Sequence, residues 1–189
     1  MESPDDWVFG YGSLVAENLP RPDAPGGPIW AELEGHRRTW NIAMANADPV
    51  SDPKHYVDPE TGDRPDIYVA FVNVTETGAG ACLGVLIPAD AAGLAAFDHR
   101  EVNYRRIDVG DRISPRPAGR IWTYVGLDAA IERFRRGDER GTAFVAEAYV
   151  KAVRRGFQGE TWSFESFLAS TDSVTVPSRA LSLVRRDPP

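Results

Sequence analysis

The chain carries a single cysteine, Cys82, so no internal disulfide can form, and the sequence suits a reducing, cytoplasmic compartment. Cys82 sits inside the apolar run Ala81-Cys82-Leu83 and reads as a packed small hydrophobe, not a reactive thiol. No stretch approaches the ~18 apolar residues of a membrane span. The opening Met1-Glu2-Ser3-Pro4-Asp5-Asp6 is acidic where a secretory signal would be basic and then apolar. A membrane is therefore not an expected partner. Clustered positive charge is missing too: the net charge is −7, and the basic residues are dispersed, mostly as the pairs Arg37-Arg38, Arg105-Arg106, Arg135-Arg136, Arg154-Arg155 and Arg185-Arg186. Nucleic acid binding needs a contiguous basic face, so none is expected, and each pair reads as a solvated or ion-paired surface feature. His36, His55 and His99 stand apart with no paired cysteines, which leaves no recognisable ligand set for a metal.

What is present fits one domain, residues 1–189, long enough to bury a core without staples. Trp7-Val8-Phe9 predicts a strand ending at Gly10, followed at once by the turn Tyr11-Gly12-Ser13-Leu14. Prolines at 20, 22, 25 and 28 limit any helix after it to one or two turns, and an extended connection is expected. Strands are predicted at 29–33, 39–44, 67–74 and 81–87, with 75–80 joining the last two. The Asp- and Pro-rich stretch 45–66 reads as an excursion loop, either a lid, a partner surface or a solvated insertion. A helix is expected from residue 91 to about 101, strands at 104–109 and 120–125, and helices near 128–136 and 142–155. In the last of these Val145, Ala148, Tyr149, Ala152 and Val153 follow the spacing of one buried stripe. Residues 1–6 and 185–189 are expected to fray. Strands first and helices mainly late imply an α+β fold with an antiparallel or mixed sheet.

Several chemistries are removed by spacing. Gly10-x-Gly12 lacks the third glycine of a dinucleotide-binding loop, since Val15 stands there. Ser13 lacks the flanking glycines of a hydrolase nucleophile elbow, because Tyr11 and Val15 occupy those positions. Two features remain. Glycines at 10 and 12 let successive N–H groups face one point, which suits a carboxylate or an oxyanion, although a plain tight turn would look the same. Glu101 falls on the helical face of Leu94 and Phe97. A carboxylate losing water there has a raised pKa and can both take and give a proton near neutrality. An ion pair with Arg100 or Arg105, or a frayed helix end, is the competing account.

With those residues in place, Val8-Phe9-Gly10-Tyr11-Gly12-Ser13-Leu14 resembles the glycine-rich signature of the γ-glutamyl cyclotransferase-like superfamily. Phe97-Asp98-His99-Arg100-Glu101 followed by Tyr104 is similar to that family's segment with the catalytic glutamate. The resemblance spans about residues 7–126. It implies a small mixed β-barrel with flanking helices, no cofactor, and cyclisation of a γ-glutamyl group to 5-oxoproline with release of an amine, amino acid or peptide. It further implies Glu101 as the acid and base, backbone N–H groups of Gly12, Ser13 and Leu14 as the anion donors, Tyr11 shaping the turn, and Tyr124 donating a hydroxyl hydrogen bond, with Tyr104 a weaker candidate.

Val15-Ala16-Glu17-Asn18 and Val102-Asn103 depart from the glutathione-acting branch. A γ-glutamyl amine, a γ-glutamyl amino acid or an intermediate carrying a protecting γ-glutamyl group therefore stands beside glutathione as substrate. A non-catalytic binding module on the same fold, and an amidase releasing free glutamate, are the alternatives from other classes.

Overall fold

The computed structural model describes residues 4–21, 26–48, 54–159 and 162–185. In chain order its elements are β1 (Asp6–Gly10), α1 (Ser13–Glu17), β2 (Ile29–Ala45), β3 (Lys54–Val57), β4 (Tyr68–Ala89), α2 (Ala91–Arg100), β5 (Tyr104–Asp108), β6 (Ile113–Ser114) and β7 (Arg120–Gly126). They continue with α3 (Asp128–Glu139), β8 (Ala143–Ala146), α4 (Glu147–Gly156), α5 (Phe164–Ala169), β9 (Ser178–Arg179) and β10 (Ser182–Arg185). The result is α+β, as expected, with a mixed sheet curled into a half-barrel.

The sheet is organised by one long ribbon. Residues 29–33 and 39–44, expected as two strands, are a single strand β2, and 67–74 and 81–87 are likewise the single strand β4. The two run antiparallel from Ile29↔Leu86 to Ala45↔Tyr68. Each reads as two strands because the ladder between them is interrupted, between Glu34 and His36 and again between Thr39 and Ile42. Gly35 takes a φ of 69°, and Gly78 and Gly80 are also left-handed. Glycine is what allows that conformation without a Cβ clash. The two ends of β4 serve different neighbours: residues 85–89 pair with β1 and 68–70 pair with β8.

β1 lies between β4, antiparallel, and β7, parallel. A central strand covered on both faces has no solvent side, so Asp6–Gly10 is buried throughout. This corrects the expected fraying for Asp6, whose carboxylate accepts from Trp122 Nε1 at 2.7 Å and pairs with Arg120 at 3.1 Å. Residues 1–3 and 186–189 lie outside the described residues.

Two other expectations shift. After the turn a single short helix, Ser13–Glu17, forms in place of a wholly extended connection, within the length the prolines allow. The helix expected over 142–155 begins only at Glu147, because Ala143–Ala146 is captured as a parallel strand beside β4. Sheet pairing overrides local propensity there. Val145 is buried as a strand residue, while Tyr149 and Val153 keep the helical stripe and pack on the main core. In the 45–66 stretch, Lys54–Val57 pairs with the C-terminal strand Ser182–Arg185, so part of the expected loop is a two-stranded ribbon. Residues 49–53 lie outside the described set. No helix among the described residues is long and apolar enough to cross a membrane.

Candidate active site

The end of β1, the start of α1 and the end of α2 meet at one small cavity. It is lined by Phe9, Tyr11, Gly12, Ser13, Leu14, Val72, Glu101, Tyr104, Tyr124 and Tyr149, and encloses about 40 Å³. The fold thus gathers Glu101 and the glycine turn, 87 positions apart at their closest (Leu14 to Glu101), around a single space. Closeness follows from β1 and α2 both abutting the far end of β4.

Asp90 caps α2 by accepting from the Gly93 N–H at 2.7 Å. The helix closes one residue before the glutamate, and Glu101 is its C-cap, with its N–H still donating to the Phe97 carbonyl. Its side chain is 15% exposed and pairs with Arg100 at 3.1 Å. The ion pair weighed as the competing account is therefore real, yet Arg100 is divided: it also grips Glu17 through two hydrogen bonds of 2.5 and 3.0 Å. Burial pushes the Glu101 carboxyl up from its usual range, and Lys54 and Arg100 hold it back without reversing the shift. Such a group is poised between proton acceptor and donor.

Tyrosines wall the cavity. The Tyr11 hydroxyl donates to the Tyr124 carbonyl at 2.6 Å, tying the turn to β7, and the Tyr104 hydroxyl donates to the Val72 carbonyl at 2.9 Å. Burial raises both far above the ordinary phenol value, so they stay neutral. Tyr124 lines the cavity as well, and its hydroxyl donates to Asp98 at 2.7 Å. Asp98 in turn meets Arg106 at 3.4 Å.

The sequence marks Tyr149 only as a member of the buried stripe, yet it lines the cavity. Its hydroxyl hydrogen-bonds with the backbone of Ser13 and Val72, beside the turn. A Cβ at position 12 would come within 2.7 Å of that hydroxyl and 3.0 Å of Val72 Cγ2, so glycine is needed at 12 for space. The clue lay in composition: a tyrosine in an otherwise apolar stripe brings a hydroxyl that must find a partner inside.

Behind the turn lies a second surprise. Arg38, expected at the surface with its neighbour, is wholly buried. Its Nε donates to the Tyr11 carbonyl at 2.8 Å, and the rings of Phe157 and Phe167 lie 5.3 and 4.2 Å from the guanidinium. Of the paired arginines, Arg37 and Arg106 are half-buried and Arg105, Arg135, Arg136, Arg154, Arg155 and Arg185 are exposed; Arg186 lies outside the described residues. Among the described residues no group of acidic, histidine or cysteine side chains forms a metal-binding cluster. Cys82 is buried in the core as expected.

Compared with known proteins, the sequence matches no family model and no curated protein. The fold does find counterparts. A structure described as a γ-glutamyl cyclotransferase superposes with a TM-score of 0.53 at 13% identity, over 92% of each chain. A protein from Homo sapiens described as uncharacterized gives 0.55 at 13% identity, again over 92% of each. The architecture is γ-glutamyl cyclotransferase-like, and at this identity the likeness concerns the fold.

Proposed function

We propose that this chain is a γ-glutamyl cyclotransferase, converting a γ-glutamyl compound to 5-oxoproline and a free amine, amino acid or peptide without a cofactor. The observation that carries the reading is that a buried carboxylate with a raised pKa, Glu101, opens onto the same cavity as the glycine turn. A Glu101 side chain directed away from the turn would have favoured a binding module; the shared cavity supports an enzyme.

In this reaction the substrate supplies its own nucleophile. The α-nitrogen forms a bond to the γ-carbonyl carbon, and the bond from that carbon to the leaving nitrogen breaks. Two protons pass from the α-ammonium to the leaving nitrogen, one before attack and one as the tetrahedral adduct collapses. Glu101, ionised, takes a proton from the ammonium and, protonated, returns one to the leaving nitrogen. Backbone N–H groups of Gly12, Ser13 and Leu14 receive the α-carboxylate or the developing oxyanion, that of Ser13 exchanging its contact with the Tyr149 hydroxyl for the ligand. Ring closure within one bound molecule needs orientation more than an enzyme nucleophile, which suits a cavity walled by neutral tyrosines. The leaving-group class stays broad: glutathione, γ-glutamyl amino acids and γ-glutamyl amines all present the same reacting half.

The test is incubation of the protein and its Glu101→Gln variant with γ-glutamyl dipeptides, γ-glutamyl amines and glutathione, following 5-oxoproline by mass spectrometry. Release by the parent alone supports the reading. Free glutamate as the product would make the protein an amidase, and equal product from both proteins would remove Glu101 from its role.

A further inference from the structure

Arg38 is the largest wholly buried side chain among the described residues, and a guanidinium keeps its proton where a buried lysine would shed it. Enclosing a fixed charge is costly unless every donor is met. Here each of the three nitrogens has a partner, and all the partners are neutral acceptors. Besides the Tyr11 carbonyl, Nη1 donates to the Phe167 carbonyl, Ser170 Oγ and Thr171 Oγ1 at 3.1, 2.6 and 3.1 Å, and Nη2 donates to the Leu83 carbonyl. Among the described residues no carboxylate pairs with it, and burial pulls its proton affinity down. The charge is thus satisfied without being neutralised.

Anchoring the end of α5 to the sheet explains the Nη1 and Nη2 bonds; it does not explain the one to the turn. Only the bond between Ser114 and Pro115 is cis among the described residues, so the peptide joining Tyr11 to Gly12 is trans. In a planar trans peptide the C=O and N–H point to opposite sides. Arg38 takes the carbonyl from the core side and does not line the cavity, whereas Gly12 does. A charge-assisted hydrogen bond to a carbonyl also draws electron density through the amide and makes its N–H a stronger donor.

We infer that Arg38 is a positioning residue for the turn: by holding the Tyr11 carbonyl it fixes the Gly12 N–H toward the cavity and strengthens it as a donor to a bound carboxylate. The inference rests on the cyclotransferase reading for the identity of that carboxylate, and deepens it by naming what makes the turn selective for an anion.

The experiment titrates two ligands, 5-oxoproline and its carboxamide, into the parent, Arg38→Lys and Arg38→Gln by calorimetry, with thermal melts of each. The parent is expected to favour the carboxylate by about tenfold or more, the scale of one charged hydrogen bond. Arg38→Gln should lose about tenfold of that preference with little change for the carboxamide, and Arg38→Lys should keep part of it. No preference in the parent, the same preference in Arg38→Gln, or an equal loss for both ligands would overturn the inference, the last marking a purely structural residue. Should the variants not fold, the Arg38 Nε–H resonance of the parent serves instead. It should move with 5-oxoproline and much less with the carboxamide; no movement, or equal movement, overturns the proposal. Release of 5-oxoproline is read separately through Glu101→Gln, so loss of the cyclotransferase reading and loss of this inference are distinguishable.

Discussion

Two buried charges flank the glycine turn, and the protein treats them in opposite ways. On the cavity side Glu101 keeps 15% of its side chain exposed, has Arg100 at 3.1 Å and feels Lys54. On the core side Arg38 is wholly enclosed, covered by two aromatic rings, and meets no carboxylate among the described residues. Glu101 has compensating charge but incomplete hydration, so its proton is negotiable. Arg38 has a neutral partner on each nitrogen but no countercharge, so its field is fixed. A proton-transfer group needs the first arrangement and a backbone anion site is served by the second; burial alone distinguishes neither.

The largest effect that would break this comparison comes from the negotiable side. Glu101→Gln should lower 5-oxoproline release by at least about 100-fold, the usual contribution of a general acid and base, with a circular dichroism spectrum like the parent's. A smaller loss would mean that Glu101 is an ion-pair member only, no different in kind from the surface carboxylates.

Between the two charges stands Gly12, and the next effect in size sharpens the comparison by disturbing the turn that separates them. Gly12→Ala places a Cβ 2.7 Å from the Tyr149 hydroxyl, and kcat/KM with any accepted substrate should fall by about tenfold, through KM. Adding Tyr149→Phe removes the closest atom and should restore part of the loss, leaving the residual from Val72 at 3.0 Å. An unrestored double variant would show that Gly12 matters for backbone conformation and not for the space beside Tyr149.

A subtler test acts on the cation that Glu101 has and Arg38 lacks a counterpart for. Lys54 is the foremost charge holding the Glu101 carboxyl down. Lys54→Met should therefore raise that carboxyl further, moving the acid limb of kcat/KM to higher pH. Activity at the acid end should fall by about two- to fivefold while that near pH 8 is unchanged, since a partly exposed pair is screened. A limb that stays in place would remove Lys54 from the electrostatics of the site.

How much of this was legible beforehand follows from which contacts are local. The turn, the strand before it and the helix carrying Glu101 are specified by adjacent residues: Phe9 then Gly10, Asp90 then Gly93. Accordingly β1 and α2 fall where the sequence puts them. The long strands read as halves because Gly35 and the 75–80 segment carry turn residues, and only cross-strand pairing shows that each continues as one strand past the irregularity. Arg38 and Tyr149 were opaque for a different reason. Their partners lie at residues 157–171 and at the turn, more than 100 positions from one another, and no periodicity in either segment announces them. An arginine beside another arginine reads as surface until the aromatic rings and carbonyls that enclose it are seen.

The smallest effect is one of stability, and it tests whether the negotiable charge is costly to hold. Above the ordinary carboxylate range of about 4.3, the unfolded chain keeps Glu101 ionised at no penalty, whereas the folded protein holds it partly desolvated. With a folded pKa above the unfolded one, the group's favourable contribution is fully present below the unfolded value and is lost as pH rises through the folded value. At pH 7 the parent therefore bears the cost of an ionised, buried Glu101, and Glu101→Gln does not. The variant should melt higher than the parent at pH 7. The gap should close as pH falls toward 4, where the parent's carboxyl is protonated as well. A variant that melts lower at pH 7 would show the Arg100 contact outweighing desolvation, and would place Glu101 with the satisfied charges, alongside Arg38.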